Sequence, residues 1–138
     1  MERLVVRGGA APDDPALADG AYLMPTVFDN VSNDMRIAAE EIFGPVVSVI
    51  PFDTEAEAIK LANSTPYGLS GSVWSRDIGK ALRTARGIQA GVLSVNSNSS
   101  VHTEAPFGGY KMSGIGRELG MAAIVMYTET KNIFIDLR

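Results

Sequence analysis

A layered α/β fold, with a mainly parallel sheet and flanking helices, is what this sequence predicts, on three observations. Val46-Val47-Ser48-Val49-Ile50-Pro51-Phe52 is a β-branched, nearly continuous apolar run, the signature of a strand covered on both faces. Directly after it, Thr54-Glu55-Ala56-Glu57 fits a capping box, in which the threonine oxygen and the glutamate carboxylate each satisfy a backbone N–H at a helix start. From there to Asn96 strands and helices alternate as βαβαβ, an order that right-handed crossovers turn into a parallel sheet.

In chain order, Leu4-Val5-Val6 is a short strand candidate, and residues 8–20, rich in Gly, Pro, Ala and Asp, read as a surface loop. Residues 23–28 read as an irregular or edge strand, because Pro25 cannot donate to a central ladder. The helix that opens at Thr54 must stop near Ser64, ahead of Pro66. Residues 69–74 form the next strand, residues 78–86 the next helix with Ala81, Leu82 and Ala85 on its stripe, and residues 91–96 a third strand. Periodicity then vanishes over residues 97–116, a stretch long enough to be functional or disordered. Residues 117–126 can be a helix, and residues 130–137 alternate as a final strand whose edge either closes a sheet or pairs with another chain.

With 138 residues and 46% apolar composition the chain can bury one core and is too apolar to be disordered. No apolar run approaches membrane-spanning length and no signal-peptide core is present, so a soluble, cytoplasmic chain is expected and no membrane partner. There is no cysteine, which removes disulfides, thiolate metal sites and cysteine nucleophiles from these residues. The net charge of −4 is uneven: residues 1–57 hold eleven acids and three bases, residues 58–138 five acids and nine bases. Nucleic-acid binding wants a clustered basic face, so nucleic acid is not an expected partner.

Three glycine-bearing or histidine-bearing features are decoys. Gly114-Ile115-Gly116-Arg117-Glu118-Leu119 begins like a dinucleotide fingerprint but lacks the third glycine and follows a loop rather than a buried strand. Gly109 and Gly114 have phosphate-loop spacing, but Ile115 stands where the lysine belongs. His102 is the only histidine, in a polar loop, and reads as a surface residue and not as a metal ligand or triad member. Gly108, Gly109, Gly114 and Gly116 are best explained as turn residues needing unusual φ.

The strongest signal is a series: Glu40-Glu41-Ile42-Phe43-Gly44-Pro45-Val46, Ala62-Asn63, Tyr67-Gly68-Leu69, Val73-Trp74-Ser75-Arg76-Asp77, Val95-Asn96, then Pro106-Phe107-Gly108-Gly109-Tyr110-Lys111-Met112-Ser113-Gly114, Gly116-Arg117-Glu118-Leu119-Gly120 and Tyr127-Thr128. In this order, over about residues 20 to 138, it closely resembles the C-terminal region of the aldehyde dehydrogenase superfamily.

The resemblance implies a partial catalytic domain over residues 1–127 and an oligomerisation strand over residues 128–138. It implies a parent function, oxidation of an aldehyde to a carboxylate with NAD+ or NADP+. Glu41 would hydrogen-bond the hydroxyls of the nicotinamide ribose, a task that suits an acceptor-only carboxylate, and Phe43 would pack by the nicotinamide. The loop 97–107 would line the aldehyde entrance, with Phe107 and Val101 as substrate-binding candidates. The family's attacking cysteine lies upstream of the Glu40–Val46 motif, and none is present here, so the chain is expected to be an inactive C-terminal fragment, without catalytic residues of its own and without most of the cofactor-binding domain. Expected partners are a small aldehyde and further subunits, in a homo-oligomer or in association with a full-length relative. The alternative from another class is a non-catalytic module that assembles with full-length aldehyde dehydrogenase subunits through its terminal strand.

Overall fold

The computed structural model describes residues 3–4 and 8–138, in two compact units, Met1–Thr65 and Pro66–Arg138. In the first unit, strands β1 (Arg3–Leu4), β2 (Thr26–Asp29) and β3 (Val46–Ser48) form one sheet in that order. β1 is antiparallel to β2, and β2 is parallel to β3 with Thr26 opposite Val46. A short helix, α1 (Arg36–Ala39), lies in the crossover between β2 and β3, and α2 (Glu55–Asn63) follows β3. The second unit contains a βαβ element: β4 (Ser70–Val73), α3 (Ile78–Gly87) and β5 (Val92–Val95), with β4 and β5 parallel and Ser72 opposite Ser94. Parallel pairs joined through helices are the α/β architecture that the alternation predicts, although the three strands read as βαβαβ fall into two ladders, β3 pairing with β2 and β4 with β5.

Several elements differ from the sequence expectation, each for a local reason. β2 is central rather than an edge, because Pro25 falls just before it and Thr26, its first residue, already donates its N–H to Pro45 O at 2.9 Å. β3 is shorter than the apolar run and open on one side, with Val47 57% exposed. Val5 and Val6 of the first strand candidate lie outside the described residues. Residues 117–120 are not helical: Glu118 pairs with Phe107 in an antiparallel bridge, and Leu119 and Gly120 take φ of 58° and 55°, so only a 3-10 segment, Met121–Tyr127, follows. Residues 130–137 are exposed and form no ladder among the described residues. An alternating segment becomes a strand only when a neighbour supplies hydrogen bonds.

The helices obey their caps. Thr54 Oγ1 accepts the Glu57 N–H at 3.2 Å, and Glu57 Oε2 accepts the Asp53 N–H at 2.9 Å, one residue earlier than the simple capping box. α2 ends at Asn63, with Ser64 as its C-cap two residues before Pro66. Asp77 caps α3 by accepting the Lys80 N–H at 3.0 Å. That bond holds the Asp77 carboxyl below the usual carboxylate range. Ala81 is fully buried and Ala85 half-buried on α3, whereas Leu82 turns outward. In the second unit the chain crosses itself without side chains: a Cβ on Gly91 would drive into the Gly108 carbonyl, and one on Gly68 into the Gln89 carbonyl.

Two outcomes follow from these contacts. Gly91→Ala should destabilise the second unit by about 3 kcal/mol or more, since backbone cannot yield as a flexible side chain can. Gly44→Ala meets only Ile42 Cγ2 at 3.9 Å and should change stability by less than about 1 kcal/mol. Urea denaturation compares the two. Because the folded pKa of Asp77 is depressed, its stabilisation is present above the usual carboxylate range and lost as pH falls through the lowered value. Asp77→Asn, which keeps an acceptor but not the charge, should therefore give a shallower loss of stability below about pH 4 in denaturation curves taken at successive pH.

Candidate functional site

In the first unit the segment between α1 and β3 is shaped by its own backbone. The chain leaves α1 at Glu40, whose N–H bonds Arg36 O at 3.0 Å and whose carboxylate takes a two-pronged bond from Arg36, both contacts 2.9 Å. The guanidinium holds the Glu40 carboxyl below its usual range. Two tight turns follow: Gly44 N–H donates to Ile42 O and Val46 N–H to Gly44 O, each at 2.8 Å. Pro45 O then anchors the end of the segment to β2 through Thr26.

The turns leave Phe43 unsupported, with 99% of its surface exposed. Glu41 is exposed as well, and its carboxylate makes no hydrogen bond or ion pair among the described residues. Of two adjacent glutamates, one is tied up by an arginine and the other presents its oxygens to whatever approaches. A carboxylate with all acceptor positions open fits a vicinal diol, and a bare phenyl face fits a flat heteroaromatic ring.

In the second unit Phe107 and Glu118 exchange backbone hydrogen bonds of 2.7 and 2.8 Å, which close the glycine-rich turn between them. The half-buried Phe107 lines an open groove of about 290 Å³ with Leu69, Ile115, Arg117, Met126 and Tyr127. Val101 lies apart from that groove, 59% exposed in the loop after β5. His102 is exposed, and its carbonyl accepts the Ala105 N–H at 3.1 Å.

The glycines divide into two kinds. Gly114 and Gly116 have φ of 116° and 84°, the left-handed region expected of them. Gly108 and Gly109 do not. They are required by close approach instead, Gly108 to the Gly116 carbonyl and Gly109 to Ser113. Three polar residues of the motif series hold this region, in roles that the sequence does not show. Arg117 donates to Gly109 O at 3.0 Å and to Gly116 O at 2.6 Å and lies over the Tyr110 ring at 5.4 Å. Ser113 Oγ accepts the Gly68 N–H at 3.0 Å. Asn96, at φ 53°, bonds both backbone groups of Ser75. Only the tolerance of asparagine for left-handed φ could have marked Asn96 beforehand.

Among the described residues no three His, Asp or Glu side chains gather to hold a metal, and no helix is long and apolar enough to cross a membrane.

The model of the aldehyde dehydrogenase family matches residues 2–133. Betaine aldehyde dehydrogenase of Bacillus subtilis is 48% identical over 92% of this chain and 26% of its own length. Among solved structures, Mycobacterium tuberculosis aldehyde dehydrogenase complexed with NAD+ superposes with a TM-score of 0.91 at 44% identity, covering 99% of this chain and 27% of that one. Indole-3-acetaldehyde dehydrogenase of P. syringae, in complex with NAD+ and IAA, gives 0.90 at 49% identity over 99% of this chain and 27% of its own. The chain thus spans about a quarter of the length of the relatives it matches. A family pattern running from residue 2 to residue 133, on the same backbone path as these enzymes, places the chain in the aldehyde dehydrogenase family.

Proposed function

We propose that these residues serve the oxidation of an aldehyde to a carboxylate with NAD+ or NADP+, as the part of the enzyme that receives the nicotinamide end of the cofactor and the incoming aldehyde. Glu41 takes the ribose hydroxyls, Phe43 lies against the nicotinamide, and Phe107 with Val101 borders the aldehyde entrance. The observation that carries this reading is the contrast at residues 40 and 41. Arg36 neutralises Glu40, while Glu41 is open to a ligand two residues from a fully bared phenyl ring. The relatives solved with NAD+ support the same cofactor class.

When bound, NAD+ or NADP+ takes up the hydride that leaves the aldehyde carbon. The chain's own residues orient and bind. Glu41 fixes the ribose, which sets where the ring lies, and Phe43 shields one side of it from water. With no cysteine among the 138 residues, the thiolate that attacks the aldehyde comes from outside them. One ribose contact contributes about 1 to 3 kcal/mol, too little to offset the entropy of association, so these residues bind the cofactor only together with the rest of its site.

Phe134 is 86% and Leu137 93% exposed in the tail 128–138, and Ile133 and Ile135 are bared beside them. Contiguous apolar surface of this kind marks an interaction site. The tail is the oligomerisation strand of the proposal. It pairs with a further subunit, in a homo-oligomer or with a full-length relative.

In the natively assembled protein, Glu41→Gln should weaken cofactor binding about tenfold or more, as expected for loss of charge-assisted hydrogen bonds, in a titration of NADH fluorescence. Unchanged affinity would remove Glu41 from the cofactor site. The 138-residue chain should sediment as species heavier than its 14.7 kDa at micromolar concentration, and deletion of residues 130–138 should shift it toward monomer. A cooperative, strictly monomeric melt of the intact chain would end the assembly reading.

A further inference from the structure

The loop that follows β5 is fastened to the sheet before it becomes free. Asn96 N–H donates to Val73 O at 2.9 Å, which prolongs the β4–β5 ladder by one rung. Its side chain then pairs with the backbone of Ser75, accepting the Ser75 N–H on Oδ1 at 2.8 Å and donating from Nδ2 to Ser75 O at 3.0 Å. Ser75 Oγ in turn accepts the N–H of Asp77, the cap of α3. Two further bonds secure the next residues. Ser94, only 9% exposed, donates from Oγ to Ser99 O at 2.9 Å, and Ser72 Oγ donates to Asn98 Oδ1 at 3.2 Å while accepting from Trp74 Nε1.

At the far end the loop is held again, by Gly120 N–H to Thr103 O at 3.0 Å and by the Phe107–Glu118 bridge. Between these two fastenings stands Val101, whose side chain is mostly bare. A side chain with little packing of its own is placed largely by its backbone, and here the backbone is placed by polar bonds at the root.

We infer that Asn96, with Ser72 and Ser94, is a positioning residue that sets the path of the aldehyde-entrance loop and so tunes which aldehydes are admitted. The inference rests on the reading of residues 97–107 as that entrance. Asn96 does not touch the reacting atoms. It acts through Val101, and its effect belongs in the relative KM of bulky and small aldehydes rather than in kcat.

The test uses Asn96→Gly, because glycine tolerates φ 53° and removes the side-chain bonds without adding backbone strain. In the natively assembled protein, hydrogen exchange of amides 98–101 should rise about 3- to 10-fold, the yield of one or two net hydrogen bonds. The ratio of KM for a branched or aromatic aldehyde to KM for acetaldehyde should move by about threefold or more, with kcat for acetaldehyde within about twofold. Asn96→Asp, which keeps the acceptor for Ser75 N–H and loses the donor, should fall between. Val101→Ala is measured alongside. If it shifts the KM ratio and Asn96→Gly does not, the positioning role is wrong and the entrance reading stands. If neither shifts the ratio, the entrance reading fails and takes the inference with it. Unchanged exchange in Asn96→Gly overturns the inference by itself.

Discussion

A single carbonyl organises the second unit. Gly68 O accepts N–H groups from Gly91 at 3.0 Å and from Tyr110 at 2.8 Å, so that the entry to β4, the entry to β5 and the glycine-rich turn meet at one oxygen. The meeting is possible only because Gly68, Gly91 and Gly108 contribute no Cβ where the backbones touch. Everything that the unit displays depends on it. The β4–β5 ladder starts from this point, the Arg117 clamp closes over the turn that it anchors, and Phe107 is presented where that turn returns to Glu118. These glycines let backbone pack against backbone.

In the first unit the governing effect is electrostatic. Residues 1–57 carry a strong excess of acids, and nothing about that excess distinguishes Glu41 from its neighbours. The local pairing does. α1 is only four residues long, but it brings Arg36 to Glu40 in an i,i+4 relation, and the adjacent tight turns then place Glu41 beyond reach of that cation. The exposed ion pair is worth little as stability. Its effect is to sort two chemically identical side chains into one that is satisfied and one that is open.

What the sequence made legible were features with a local cause. The parallel strand pairs follow from the alternation of strands and helices, and α2 begins and ends at residues with a capping or breaking chemistry, Thr54 and Pro66. Illegible features had non-local causes. Residues 117–126 read as a helix, yet the chain passes through the Glu118 bridge and two left-handed residues that no periodicity reports, and only the 3-10 segment Met121–Tyr127 follows. The tail alternates like a strand but has no ladder partner within the described chain. At the candidate site the motif residues were recognisable by resemblance, but the roles of Asn96 and Ser113 within that series come from meeting backbone groups 21 and 45 residues away. Such meetings leave no pattern in spacing.

Trp74, the only tryptophan, has its ring 62% exposed and its Nε1–H bonded to Ser72 Oγ, the same hydroxyl that reaches Asn98. The molecule therefore carries a built-in optical probe at the root of the loop that follows β5. The indole's emission reports on a hydrogen bond that belongs to that root, and no other indole in the 138 residues overlaps the signal.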